Sequence, residues 1–240
     1  MNNNLNIVII GSSRGIGREV AKHLCSQGHN LFCISRNAEA LELLKKECFE
    51  IRPATAVTTL ALDVSELTAG TYRLRSRITN VFERIDVLLY NAGLLVKKDF
   101  AEFKMAEAMN IFGVNFFSAA AVIKELLPLM GGERISHIVN VGSMGGFQGS
   151  TKFPGLSFYT ASKAALGSLS ECLAVELNDH NVRVNCLALG SAQTEMLEEA
   201  FPGYSAPLSA AEMAEFVSHF MVTGHKYFNG KVLPVSVSTP

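Results

Sequence analysis

Hydrophobic and polar positions fall into two kinds of block, which follow one another in turn. In "NIVII" (6–10) four β-branched residues run without a polar break, which predicts a strand covered on both faces. "REVAKHLCSQG" (18–28) then takes up helical spacing and stops at a glycine. The pattern repeats with a strand in "NLFCIS" (30–35) and a helix in "NAEALELLKKECF" (37–49), whose Asn37 is placed to cap it. "VTTLALDV" (57–64) predicts a third strand, "YRLRSRITNVFERI" (72–85) a helix, and "DVLLYNAG" (86–93) a fourth strand ending in a turn. A long helical stretch is expected from Met105 to Met130, followed by a fifth strand in "HIVNVGS" (137–143). The remainder predicts a long helix over 158–177, a strand over 182–189, a helix over 209–221 and a short final strand in "KVLPVSV".

Strands that alternate with helices and are apolar on both sides require a parallel sheet with helices on both faces. The expected fold is therefore α/β, a Rossmann-like doubly wound sheet of about seven strands, with residues 1–240 forming one domain. Ligands in such a fold bind at the carboxyl ends of the strands. With 48% hydrophobic and 18% charged residues the chain has the balance of a packed globular protein. Its net charge of −1 offers no general attraction to nucleic acid or to an anionic membrane. No apolar run reaches membrane-spanning length, and the N-terminus lacks a basic signal region. Five scattered cysteines, never spaced as CxxC and apart from histidines, favour thiols in a reducing cytoplasm over a zinc site.

The first chemical signal is "GSSRGIG" (11–17), where three glycines interrupt the passage from strand to helix. Free N–H groups at that helix start suit a pyrophosphate, with Gly11 making the turn and Gly15 and Gly17 allowing phosphate and the next strand close. The second strand ends in Ser35 and Arg36, without the carboxylate that commonly binds an NAD ribose. Arg14 can face the same place, and two guanidiniums with a hydroxyl suit a 2′-phosphate. NADP(H) is expected over NAD(H).

A second signal lies in "SFYTASKAALGSL", where Tyr159 and Lys163 stand four residues apart on one helix face. A neighbouring ammonium, together with an oxidised nicotinamide, would draw the phenol pKa down from about 10 and let it exchange a proton with a carbonyl oxygen. Ser143, at the carboxyl end of the fifth strand, would donate a hydrogen bond to that oxygen.

Taken in order, these motifs resemble the short-chain dehydrogenase/reductase family, including its carbonyl reductases and 3-oxoacyl-carrier-protein reductases, over essentially the whole chain. The resemblance implies a catalytic tetrad of Asn115, Ser143, Tyr159 and Lys163. In it Tyr159 is the acid/base, Lys163 tunes it and holds the nicotinamide ribose, and Asn115 helps keep a relay water. It implies a cofactor site from Gly11, Ser13, Arg14, Gly15, Ile16 and Gly17, with Ser35, Arg36, Asp63 and Val64 around the adenosine. Asn91, Ala92 and Gly93 support the cofactor and the sheet, and Gly190 and Thr194 stand near the nicotinamide. The expected reaction is NADPH-dependent reduction of a ketone or aldehyde; the alternative is a non-catalytic NADPH-binding protein of the same fold. The resemblance also implies a homodimer or homotetramer.

The chain departs from the family in Tyr90 for asparagine, Leu189 for proline, an extended 143–159 segment and an atypical C-terminus. A short 193–208 segment predicts an open or shallow site, with Phe147, Phe153 and Met196 as candidate apolar walls. Lys97, Lys98 and Lys152 are candidate contacts for an acidic carrier.

Overall fold

Successive residues of β1 (Asn6–Ile10) point to opposite sides of a sheet, and on each side they meet a core. Ile7 and Ile9 pack towards one layer of helices, Val8 and Ile10 towards the other, and all four are fully buried. Burial of each such side chain contributes about 1.5–3 kcal/mol, so the unbroken apolar run is the signature of a strand with no solvent face. The structure, a computed structural model, describes residues 4–70 and 73–237.

From β1 the chain runs through α1 (Gly15–Ser26), β2 (Asn30–Ser35), α2 (Ala38–Ile51) and β3 (Val57–Ala61). It continues through α3 (Leu74–Thr79), β4 (Val87–Tyr90), α4 (Met105–Phe112), α5 (Ser118–Leu126) and β5 (Ser136–Val141). Then come α6 (Ser157–Glu176), β6 (Val182–Leu189), α7 (Glu195–Ala200), α8 (Ala210–Thr223) and β7 (Val232–Val235). All seven strands form one parallel sheet in the order β3-β2-β1-β4-β5-β6-β7. Helices α1, α2 and α8 cover one face, and α3, α5 and α6 the other. The doubly wound sheet expected from the sequence is present. Because β1 pairs with both β2 and β4, the winding reverses beside it and leaves a crevice at the strand ends. Asn37 caps α2 as expected, its side chain accepting from the Ala40 amide at 3.0 Å.

Two helices depart from expectation. The one predicted over 72–85 is helical only at Leu74–Thr79; its first residue, Tyr72, lies outside the described residues, as do residues 238–240 of the tail. Beyond α3 the chain must straighten, because Phe82 and Ile85 both turn into the core and the Ile85 amide donates to Leu129 O at 2.8 Å. Arg84, bound to Asp86 at 2.8 Å, fixes this entry into β4.

The long stretch after Met105 is helical throughout, but a π-helical turn at Gly113–Phe117 divides α4 from α5. This 25-residue stretch to Leu129 is by length and apolarity capable of crossing a membrane, contrary to the reading of the sequence. Ala108, Ile111, Ala119, Val122, Ile123 and Leu126 on it are buried in this fold, whereas Met105 and Met109 are 66% and 69% exposed.

On β5, His137 is buried under α8. Its Nδ1 meets Met221 O at 3.0 Å and its Nε2 meets Asn185 Nδ2 at 3.0 Å, a pairing that fits the neutral ring with its proton on Nδ1. Burial lowers its pKa to about 4, with the Met221 bond opposing and nearby His225 assisting. In the unfolded chain the ring titrates at about 6.5. Its contribution to stability is therefore complete above that pH and is lost as pH falls towards 4, at up to about 1.4 kcal/mol per unit. Urea unfolding followed from pH 7 to 4.5 should show a shallower pH dependence in His137→Gln than in the parent; equal slopes would remove His137 as the cause.

Candidate active site

The glycine turn is built by close approach of three backbone segments. Gly11 has φ +85°, and a side chain there would stand 2.6 Å from the Ala92 nitrogen. A side chain on Gly17 would meet the Gly11 carbonyl oxygen at 2.1 Å and Asn91 Nδ2 at 2.5 Å. Asn91 Nδ2 donates to that same carbonyl at 2.7 Å, clasping the end of β4 onto the turn. Gly17 thus serves the close approach of α1 to the end of β1, and it is not among the residues that line the cleft. Gly15, at φ +54°, does line it, and a side chain there would stand 3.3 Å from Thr194 Cγ2. Arg14, the residue before α1, makes no side-chain cap, so the helix start carries no capping side chain of its own.

A cleft of about 1210 Å³ extends from this turn across the strand ends. Gly11, Ser13, Arg14, Gly15 and Ile16 form its floor at one end, with Ser35, Arg36, Asp63 and Val64 around it. Asn91, Ala92 and Gly93 line it too, as do Ser143, Tyr159, Lys163, Gly190 and, beside Gly15, Thr194. Of the expected catalytic and cofactor residues, Gly17 and Asn115 alone are absent from the lining. Ser13 and Ser35 share a hydrogen bond of 2.8 Å between their hydroxyls. Both arginines face carboxylates: Arg36, 74% exposed, lies 3.9 Å from Asp63, and Arg14 Nη1 is 2.6 Å from Glu199 Oε1.

The 193–208 segment folds into α7 and a two-residue ladder of Ala192–Gln193 with Leu208–Ser209, and Met196, Leu197, Phe201 and Tyr204 wall the cleft. Phe153 lines it as expected, but Phe147 does not. Of the candidate lysines, Lys98 is bound to Glu107 at 2.8 Å. Lys152 closes the 143–150 loop through Gly145 O and Phe147 O, both at 2.7 Å, and Lys97 stands 4.4 Å over the Phe201 ring.

At the far end α6 presents Tyr159 and Lys163 beside Ser143, which follows the end of β5 by two residues. Lys163 is only 4% exposed; its Nζ donates to Val141 O at 2.8 Å, and burial lowers its pKa to about 8. The phenol of Tyr159 is pushed up by burial, opposed by a hydrogen bond with Ser143. Lys163 Nζ stands 6.0 Å from the centre of the tyrosine ring. The expected lowering of the phenol by the ammonium is therefore not a property of the protein alone, because desolvation outweighs it.

Asn115 sits in the π-helical turn and is fully buried. Its Oδ1 accepts from the Leu94 amide at 2.7 Å, and its Nδ2 donates to Leu94 O at 3.0 Å and Ser162 Oγ at 2.9 Å. The side chain locks the loop after β4 to α6. Tyr90, which the sequence marks only as a departure, donates from its hydroxyl to Val114 O at 2.6 Å and so steadies the same turn from below. Glu199, Phe201 and Tyr204 carried no signal in the sequence, since an acidic or aromatic side chain in a short surface helix is ordinary.

The family model for short chain dehydrogenases matches residues 5–205. Dehydrogenase/reductase SDR family protein 7-like from Drosophila melanogaster is 29% identical over 199 residues, 82% of this chain and 60% of that protein. The chain thus spans about three fifths of the length of that relative. Two solved structures are each 26% identical and share 97% of this chain. They are levodione reductase, with TM-score 0.85 and 96% of its own chain, and the NADP active-site complex of Pseudomonas aeruginosa RhlG, with TM-score 0.84 and 94%. With the match running through both the glycine turn and the Ser143–Tyr159–Lys163 group, the chain belongs to the short-chain dehydrogenase family of oxidoreductases.

Proposed function

We propose that the protein is an NADP(H)-dependent reductase of ketones or aldehydes, and that Tyr159, Ser143, Lys163 and Asn115 form its reaction centre. The observation that carries the proposal is the placing of Tyr159, Ser143 and Lys163 in the same cleft as the glycine turn. The cleft's volume and the donors along it fit a dinucleotide: Gly15 beside the α1 start for the pyrophosphate, Asp63 and Val64 for adenine, and Ser35, Arg14 and Arg36 for a 2′-phosphate. Bound in that way, NADPH would supply a hydride to carbon. NADP in the related RhlG complex supports the choice of cofactor.

Tyr159 holds its proton firmly in the free protein, since burial disfavours the phenolate. That resting form is the acid that a reduction requires. Its hydroxyl gives the proton to the carbonyl oxygen, and the Ser143 hydroxyl donates a hydrogen bond to the same oxygen, stabilising the charge that gathers there. Lys163, with its pKa near 8, is mostly an ammonium at pH 7 and favours the phenolate once the proton has left. Asn115 acts through Leu94 and Ser162, holding the floor of the site. The apolar walls at Phe153, Met196, Phe201 and Tyr204 suit the carbon skeleton of the substrate. Exposed Met105, Met109 and Phe117 on the outer side of the α4–α5 stretch suit a second copy of the chain, giving a dimer or tetramer.

Replacing Tyr159 by Phe should lower the reduction rate by at least about 10²-fold while NADPH binds within about twofold of the parent affinity by fluorescence titration. A variant that turns over normally would take Tyr159 out of the mechanism. Arg36→Asp should weaken NADPH more than NADH, read as the ratio of the two dissociation constants. An unchanged ratio would place the 2′-phosphate elsewhere.

A further inference from the structure

Arg14 and Glu199 are 185 residues apart in the chain, yet the carboxylate takes both terminal nitrogens of the guanidinium, at 2.6 and 3.4 Å. Two parallel N–H···O bonds to an oxyanion are also how an arginine grips a phosphate. The other acids of α7 are placed differently. Glu198 accepts from the Gly203 amide at 3.1 Å and from Gln193 at 3.3 Å, and Glu195 lies beside Gly15. Arg14 holds the Glu199 carboxyl below the usual carboxylate range. Both side chains are well exposed, at 48% and 63%, so water can take up either partner and the pair is exchangeable.

We propose that Glu199 is a specificity-determining residue: its carboxylate occupies Arg14 in the place of the cofactor's 2′-phosphate, which must displace it on binding. This rests on the reading of Arg14 as a 2′-phosphate ligand. NADH has a hydroxyl where NADPH has the phosphate, so it makes no demand on Arg14 and leaves the pair intact. Glu199 therefore acts against NADPH alone, through occupancy of Arg14. It narrows the preference that Arg14 and Arg36 establish. The same exchange frees α7 from its tie to the glycine turn when the phosphorylated cofactor enters.

The test is a cycle of four proteins, the parent, Glu199→Gln, Arg14→Gln and the double variant, each titrated with NADPH and with NADH by nicotinamide fluorescence. Glu199→Gln should tighten NADPH about threefold to fivefold, the range of an exposed ion pair, and change NADH by less than about twofold. In the Arg14→Gln background the gain should vanish, because the carboxylate then has nothing to occupy. Retained NADH binding in every variant serves as the control for folding. If Arg14→Gln weakens NADPH but Glu199→Gln changes neither cofactor, or both equally, the competition is overturned and the cofactor assignment stands. If Arg14→Gln leaves NADPH binding unchanged, the assignment of Arg14 fails and this inference fails with it.

Discussion

The carbonyl of Gly11 is the point on which the site is hung. It accepts from Asn91 at 2.7 Å, and a side chain on Gly17 would stand 2.1 Å from its oxygen. Only a hydrogen at Gly17 allows α1 to approach β1 this closely, and only a positive φ at Gly11 turns the carbonyl towards Asn91. That clasp joins the ends of β1 and β4 at the place where the sheet's winding reverses, so the crevice there has a fixed width. Ser13, Arg14 and Gly15 on one side, and Ala92 and Gly93 on the other, inherit their positions from it.

At the opposite end of the cleft desolvation dominates. Lys163 is taken almost wholly out of water and finds one backbone carbonyl, that of Val141, so part of its affinity for a proton is given up. Tyr159 loses acidity for the same reason. Burial thus sets the two groups apart in proton affinity, the phenol holding its proton more firmly and the lysine less so, while the ammonium stands 6.0 Å from the ring centre.

Much of this was readable from residue order. Apolar runs with no polar alternation identified the strands, because a strand buried on both sides has no solvent face to mark with polar residues. The glycine turn, Ser143, Tyr159 and Lys163 were legible as short local patterns. What escaped was long-range or energetic. The Arg14–Glu199 pair depends on where a short helix folds back, and its two members share no spacing rule. The shortened α3 follows from Phe82 and Ile85 entering the core, which outweighed a helical local pattern. Which of its two expected uses Gly17 serves was not legible, because a glycine cleared for a phosphate and one cleared for a neighbouring carbonyl look alike in one dimension. The walls that the short 193–208 segment supplies were illegible for a related reason: Met196, Phe201 and Tyr204 give by bulk what the segment lacks in length.

The bonds of Asn115 bear on how the molecule opens as well as on how it is held shut. Its amide joins the Leu94 backbone to Ser162, and Ser162 in turn donates to the Tyr159 carbonyl at 2.7 Å. The loop after β4, the π-helical turn and the first turns of α6 therefore share one buried hydrogen-bond chain. Fraying of any one leaves polar groups of the other two without partners in the interior, at about 1–3 kcal/mol for each. The three segments consequently form one cooperative unit in native-state fluctuation, and their amide protons exchange with solvent in a single opening event.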